Sequence, residues 1–257
     1  MKKFLFFIIL FFATSISVFS ADMRFIQVDG AMYNQANINN FQALVEKINK
    51  EKNVEFVVFT GNNISKPSQD ELKSFLKSAK KIKAPIYIVL GQKDVSKQKN
   101  LGKQEYMQIV RKNIRTHRFV NSPNYLFKKK NMVFIVADGS KDVITSPSGY
   151  YRDDVILWLD EKLDDYLDKN VVILQHYPIV PPAQKETHYT YRADEYLKLL
   201  TEHKNVKAVV AGHFGVNKEI VVNGILHIAT KNAPTYRVID ILDYETKNPT
   251  FWSTLKE

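Results

Sequence analysis

The 257-residue chain contains no cysteine. Disulfides, thiolate metal sites, a cysteine nucleophile and a lipidated N-terminal cysteine are therefore excluded. Glycine and proline number nine each, with no Gly/Ser-rich tract, no low-complexity segment and no internal repeat. Nothing divides the chain into modules, and one domain is expected over residues 21–257 after a leader at 1–20. Acidic residues are the scarcer sign, 27 against 37 basic, which leaves a net charge of +10. Arginine is also scarce among the basic residues. A lysine-dominated excess argues only weakly for nucleic acid, because bidentate reading of phosphates and bases favours arginine. Runs such as Lys80-Lys81-Ile82-Lys83 and Lys128-Lys129-Lys130 read first as solvated faces. No P-loop, Gly-x-Gly-x-x-Gly, Gly-x-Ser-x-Gly or His-Glu-x-x-His motif occurs. Nucleoside-triphosphate, dinucleotide, serine-hydrolase and zincin chemistry consequently lack support.

Long apolar runs are missing except at the start. Met1-Lys2-Lys3 precedes an unbroken apolar run from Phe4 to Phe12, and a mixed stretch ends at Val18-Phe19-Ser20 before Ala21. A basic start, an apolar middle and small residues at the cleavage position form a secretory signal peptide. Export with cleavage between Ser20 and Ala21 is expected. The rival reading is an uncleaved anchor, for which Phe4–Phe19 is short and interrupted by hydroxyl residues.

Short apolar runs alternate with helical spacing along the remainder. Strands are expected at Arg24–Val28, Phe56–Phe59, Ile86–Leu90, Tyr125–Phe127, Met132–Ala137, Val171–Leu174 and Val206–Val210. Helices are expected around Phe41–Ile48, behind a Ser68/Glu71 capping box, around Val155–Leu163, and over Tyr191–Leu200. Asn223-Gly224 between Glu219–Val222 and Ile225–Ala229 marks a type I′ hairpin. Final strands fall around Tyr236–Leu242 and Thr250–Thr254. Alternation first and a strand-rich tail later imply an α/β layered sandwich of mixed sheets flanked by helices.

Polar side chains cluster just past the strand ends, where ligands gather in open α/β sheets. The segments are Val28-Asp29-Gly30-Ala31, Thr60-Gly61-Asn62-Asn63, Leu90-Gly91-Gln92-Lys93-Asp94, Gln175-His176-Tyr177-Pro178 and Ala211-Gly212-His213-Phe214-Gly215. In that order they resemble the calcineurin-like metallophosphoesterases. The family runs strand-Asp-x-His, Gly-Asp, Gly-Asn-His-Asp, His-x-Pro and Gly-His-x-His, and the resemblance extends over residues 23–242. It implies the calcineurin-like phosphoesterase fold and a hydrolase centre with two metal ions about 3.5–4 Å apart.

Carried over position by position, the resemblance retains Asp29, His176 and His213 as metal ligands. Ala31 stands at the first histidine, Asn62 at the bridging aspartate, Gln92 at the asparagine ligand and Gly215 at the last histidine. Lys93 stands where the family places its catalytic histidine. Two divalent ions about 4 Å apart repel by roughly 16 kcal/mol at an effective dielectric near 20. With Asn62 neutral and Lys93 cationic, Asp29 alone supplies negative charge, so a two-metal centre is not expected. His176 and His213, with Asn62 and Gln92 as amide oxygens, remain either the ligands of one weakly held divalent ion or histidines with ordinary hydrogen bonds. Lys93 is either a solvated loop lysine or an ammonium able to attract an anion such as phosphate. His188, in the loop after His176, is either an ordinary loop side chain or one leaning over the cleft.

Three readings follow. The first is an exported, non-catalytic or strongly impaired binding or accessory protein, with its ligand left open and a phosphate-containing one among the candidates. The second is a phosphomonoesterase or phosphodiesterase working with one weakly held metal. The third is a structural interaction module of the cell envelope. No nucleic acid is specifically indicated, and no transmembrane span is expected after residue 20.

Overall fold

A computed structural model describes residues 23–257. The segment at 1–20, where a signal peptide is expected, lies outside the described residues. Two sheets face each other, and helices cover their outer surfaces. The first sheet has the order β13-β12-β1-β2-β3, from β1 (Met23–Val28), β2 (Val54–Phe59), β3 (Ile86–Ile88), β12 (Tyr236–Leu242) and β13 (Thr250–Lys256). The second has the order β10-β11-β9-β7-β5-β4, from β4 (Tyr125–Lys129), β5 (Met132–Ala137), β7 (Asn170–Gln175), β9 (Val206–Ala211), β10 (Lys218–Val222) and β11 (Ile225–Ala229). β1, β2 and β3 pair in parallel, as do β5, β7, β9 and β11; β12, β13, β4 and β10 add antiparallel strands. Both sheets are therefore mixed.

Period-two side-chain geometry explains why the inner strands carry apolar residues on both faces, at consecutive positions such as Phe56-Val57-Val58-Phe59. In β1 and β2, Phe25, Phe56 and Val58 point between the sheets and meet Phe134, Val136, Val172, Leu174 and Val210. Their neighbours Ile26, Val57 and Phe59 point outward into α1 (Gln35–Ile48), α2 (Gln69–Ala79) and α3 (Lys103–Asn113). On the other side Val133, Ile135, Ile173 and Val209 meet α4 (Asp153–Asp165) and α5 (Ala193–Glu202). Phe25 and Phe56 stack at 4.9 Å, and Phe134 meets Phe56 edge-on at 4.9 Å. Aromatic contacts of this kind fix sheet spacing as well as burying area.

Three local expectations change. The helix expected from Tyr191 begins at Ala193. Thr190–Tyr191 is instead a short strand, β8, paired with β6 (Gly149–Tyr150). Ser68 caps α2 through the Glu71 amide, but the Glu71 carboxylate reaches Ser65 rather than closing a reciprocal box on Ser68. α3 carries Tyr106, Met107 and Val110 into the first helical layer, between segments whose periodicity is easier to read. The Asn223-Gly224 hairpin has positive φ at both turn residues, as a type I′ turn requires.

Candidate functional site

Parallel pairing of β1, β2 and β3 places their carboxyl ends side by side, and β7 and β9 do the same in the facing sheet. The five loop segments consequently meet at one end of the sandwich. Asp29 follows β1 and is fully buried. Its Oδ1 accepts from the Thr60 hydroxyl at 3.2 Å and lies 3.5 Å from His176 Nδ1; its Oδ2 accepts from the His213 amide at 3.1 Å. Gly212 makes this approach feasible. A Cβ there would lie 1.8 Å from Asp29 Oδ1.

His176 follows β7 and is fully buried. Its Nδ1 lies 2.6 Å from the Thr60 carbonyl, so it carries the proton and donates. Its Nε2 lies 2.7 Å from the Gln92 side chain, which covers the nitrogen that could otherwise face a ligand. Asn62 sits at φ 52°, a left-handed conformation asparagine tolerates. Its Oδ1 accepts the Lys93 amide at 3.0 Å. Lys93 is the residue whose position the sequence left most open. Its ammonium lies 3.5 Å from the centre of the Tyr33 ring and donates to the Tyr33 carbonyl at 3.2 Å. A cation–π contact and a carbonyl thus hold it at the cleft edge, so it is not a freely solvated loop lysine.

The His213 ring packs 4.9 Å from His176 and 4.7 Å from His188, centroid to centroid. His188 therefore leans over the cleft. Both ring nitrogens of His213 are buried without a hydrogen-bond partner among the described residues. Burial, then the neighbouring His176 and His188, push its pKa down to about 2, so the ring is neutral. Asp94, also buried, accepts from the Gly91 and Ile64 amides at 2.8 and 3.1 Å and from Asn63 Nδ2 at 3.1 Å. It ties the loop after β2 to the loop after β3. Burial pushes its carboxyl up to about 7, against those donors and His176.

Several residues behind the cleft escaped the motif reading. Gln27 bridges the sheets, donating to the Ala211 carbonyl at 2.7 Å and accepting from Thr230 at 2.7 Å. Arg237 donates to Thr230 at 2.9 Å and reaches Glu219. A polar residue inside an apolar strand, as in Gln27, was the available signal. Of the remaining histidines, His203 bonds Asp160 on α4 at 2.7 Å, and His117 and His227 are buried away from the cleft.

The donor set does not fit a two-ion centre. Asp29 is its one carboxylate, and hydroxyl and amide donors already engage both oxygens. Ala31, at the position of the first histidine, is fully buried in the hydrophobic cluster beneath the helical layer and supplies no ligand atom. Among the described residues no group of three or more His, Asp or Glu side chains is arranged to hold a metal ion.

Comparison with known proteins places this arrangement. The family described as calcineurin-like phosphoesterase matches residues 26–217. A protein described as a probable glycerophosphodiester phosphodiesterase, GpdQ, from Arcobacter nitrofigilis is 20% identical over 218 residues, covering 80% of this chain and 73% of the relative. A probable cyclic nucleotide phosphodiesterase from Colwellia psychrerythraea is 22% identical over 194 residues, 74% of this chain and 66% of the relative. In fold the chain is similar to a dimetal phosphatase from Danio rerio, with a TM-score of 0.68, 14% identity and coverage of 90% and 99%. With its motif loops converged at one end of the sandwich and most of its length matched, the chain belongs to the calcineurin-like phosphoesterase family.

Proposed function

We propose that this protein is a non-catalytic member of the family, exported from the cytoplasm, whose cleft serves as a binding site for a phosphate-containing ligand. The observation that carries the reading is the charge of the cleft. Asp29 is the single carboxylate among Asp29, Asn62, Gln92, His176 and His213, and Lys93 adds an ammonium beside them. Two divalent ions need anionic ligands to offset their mutual repulsion, whereas an oxyanion is favoured by an ammonium. The relatives named as phosphodiesterases make a phosphate ester the natural ligand class. Export rests on the basic-then-apolar start before Ala21.

The test combines turnover and binding. Purified protein is assayed with a generic phosphodiester and a monoester between pH 5 and 9, with manganese, zinc or iron, beside a His176→Ala/His213→Ala variant. Equal background rates in both proteins, with inorganic phosphate binding that weakens in Lys93→Gln, are the expected results. Turnover well above the double variant would overturn the reading. It would promote the single-metal hydrolase, which the unpartnered ring nitrogens of His213 favour. Export is checked by mass spectrometry, which should find Ala21 at the N-terminus of the exported protein.

A further inference from the structure

The positive charge is not spread over the molecule. Between residues 72 and 120 there are thirteen lysines and arginines and two acids, Asp94 and Glu105, so this segment carries a net +11, one more than the +10 of the whole chain. Asp94 is buried. The segment folds into α2, β3 and α3 and the turn that follows. Its cationic side chains are exposed where the α2–β3 turn meets the C-terminal end of α3: Lys80, Lys83, Arg111, Lys112, Arg115 and Arg118. Their polar partners are neutral. Lys80 Nζ donates to Asn113 Oδ1 at 2.8 Å, and Arg111 bonds Asn121.

Two apolar features lie within this cationic face. Phe119 is 88% exposed, with the Arg118 guanidinium 6.0 Å from its ring centre. A groove of about 610 Å³ is lined by Ile82, Pro85, Ile86 and Ile114, with Lys80, Lys83 and Arg115 among its walls. The groove lies at the amino end of β3, whereas Gln92 and Lys93 follow its carboxyl end. The two are at opposite ends of the first sheet.

From this we propose that the face formed by the α2–β3 turn and the end of α3 docks on an anionic lipid surface. Clustered lysines and arginines with no carboxylate partner among the described residues are drawn to anionic headgroups, and an exposed aromatic beside them inserts at the headgroup level. A single-stranded nucleic acid would instead call for a ladder of stacking aromatics along the basic track, and Phe119 stands alone here. Docked in this way, the molecule presents its cleft away from the lipid.

The test is co-sedimentation of the protein beginning at Ala21, the N-terminus proposed for the exported form, with phosphatidylcholine vesicles that contain about a third phosphatidylglycerol, against pure phosphatidylcholine, at low and physiological salt. Without the apolar run at 4–12, binding reports on the folded chain alone. Binding should require the anionic lipid and weaken with salt. Lys80→Gln/Lys83→Gln/Arg115→Gln should lower partitioning by about a hundredfold, roughly fivefold per charge. Lys218→Gln/Lys247→Gln/Lys256→Gln removes the same charge elsewhere and should change it by less than about threefold. Phe119→Ser leaves charge untouched and should still weaken binding; being fully surface-borne, it decides the matter if the first triple variant does not fold. Equal losses in the two triple variants, indifference to anionic lipid, or no vesicle binding would each overturn the proposal. So would binding confined to an oligonucleotide with the same dependence on Lys80, Lys83 and Arg115.

Discussion

At the residue scale, close approach decides more than chemistry. Gly212 leaves room for Asp29 because any Cβ would occupy the carboxylate. Gly212→Ala should therefore lower stability by about 2 kcal/mol or more, read as a shift in urea midpoint. Gly215 provides the contrast: its Cβ would meet nothing within 4 Å, but its φ is 67°. Gly215→Ala should cost about 1 kcal/mol through backbone strain alone. His117 gives a pH dependence. It sits between Thr116 and the Tyr125 hydroxyl, and burial lowers its pKa from 6.5 to about 4. Between those values the unfolded chain binds the extra proton, so stability is full above about pH 6.5 and is lost as pH falls toward 4. The loss from this one residue is about 3 kcal/mol. Urea midpoints at neutral and acid pH should differ less in His117→Asn than in the parent. His213 and His227 are shifted in the same sense, so some acid sensitivity should persist in that variant. Cleft residues after the strands were readable from their place in the motif order. The partner of Lys93 was not, because Tyr33 lies sixty residues away and only the fold brings its ring under the ammonium.

At the element scale, two faces must be buried on each central strand, and that requirement makes the strand runs easy to read. Phe56 shows the consequence. It contacts Phe25, Tyr87, Phe127 and Phe134, joining both sheets. Phe56→Ala should destabilise by about 3–5 kcal/mol in chemical denaturation. The α2 cap is worth less. Ser68→Ala should cost about 1 kcal/mol, since one amide loses its acceptor. The start of α5 was misplaced by two residues for a comparable reason. Tyr191 has helical spacing with the residues after it, yet its backbone pairs with Tyr150, a partner no local pattern contains.

At the scale of the whole molecule, one pole of the first sheet gathers the cleft and the other gathers the charge. The cleft is a unit, and a single reversal should not restart its chemistry. Asn62→Asp alone is expected to leave phosphodiester turnover at the level of the His176→Ala/His213→Ala background, because groups that act together are strongly non-additive. Even a combined change faces packing and backbone strain, since Ala31 is fully buried and Gly215 sits at φ 67°.

The sequence by itself determined the layered architecture, through apolar runs that only two covered sheet faces can accommodate. It also determined the order of the cleft loops and the neutral residues within them, because identity and order are local properties of a chain. The tertiary structure decided what those residues touch. It set Gln92 against His176, parked Lys93 on Tyr33, left both nitrogens of His213 without partners among the described residues and stacked His188 over its ring. Each of these contacts joins segments far apart in the chain, or depends on how a loop turns after its strand. Residue order carries no such distance information, whereas packing two sheets about a shared aromatic core fixes it.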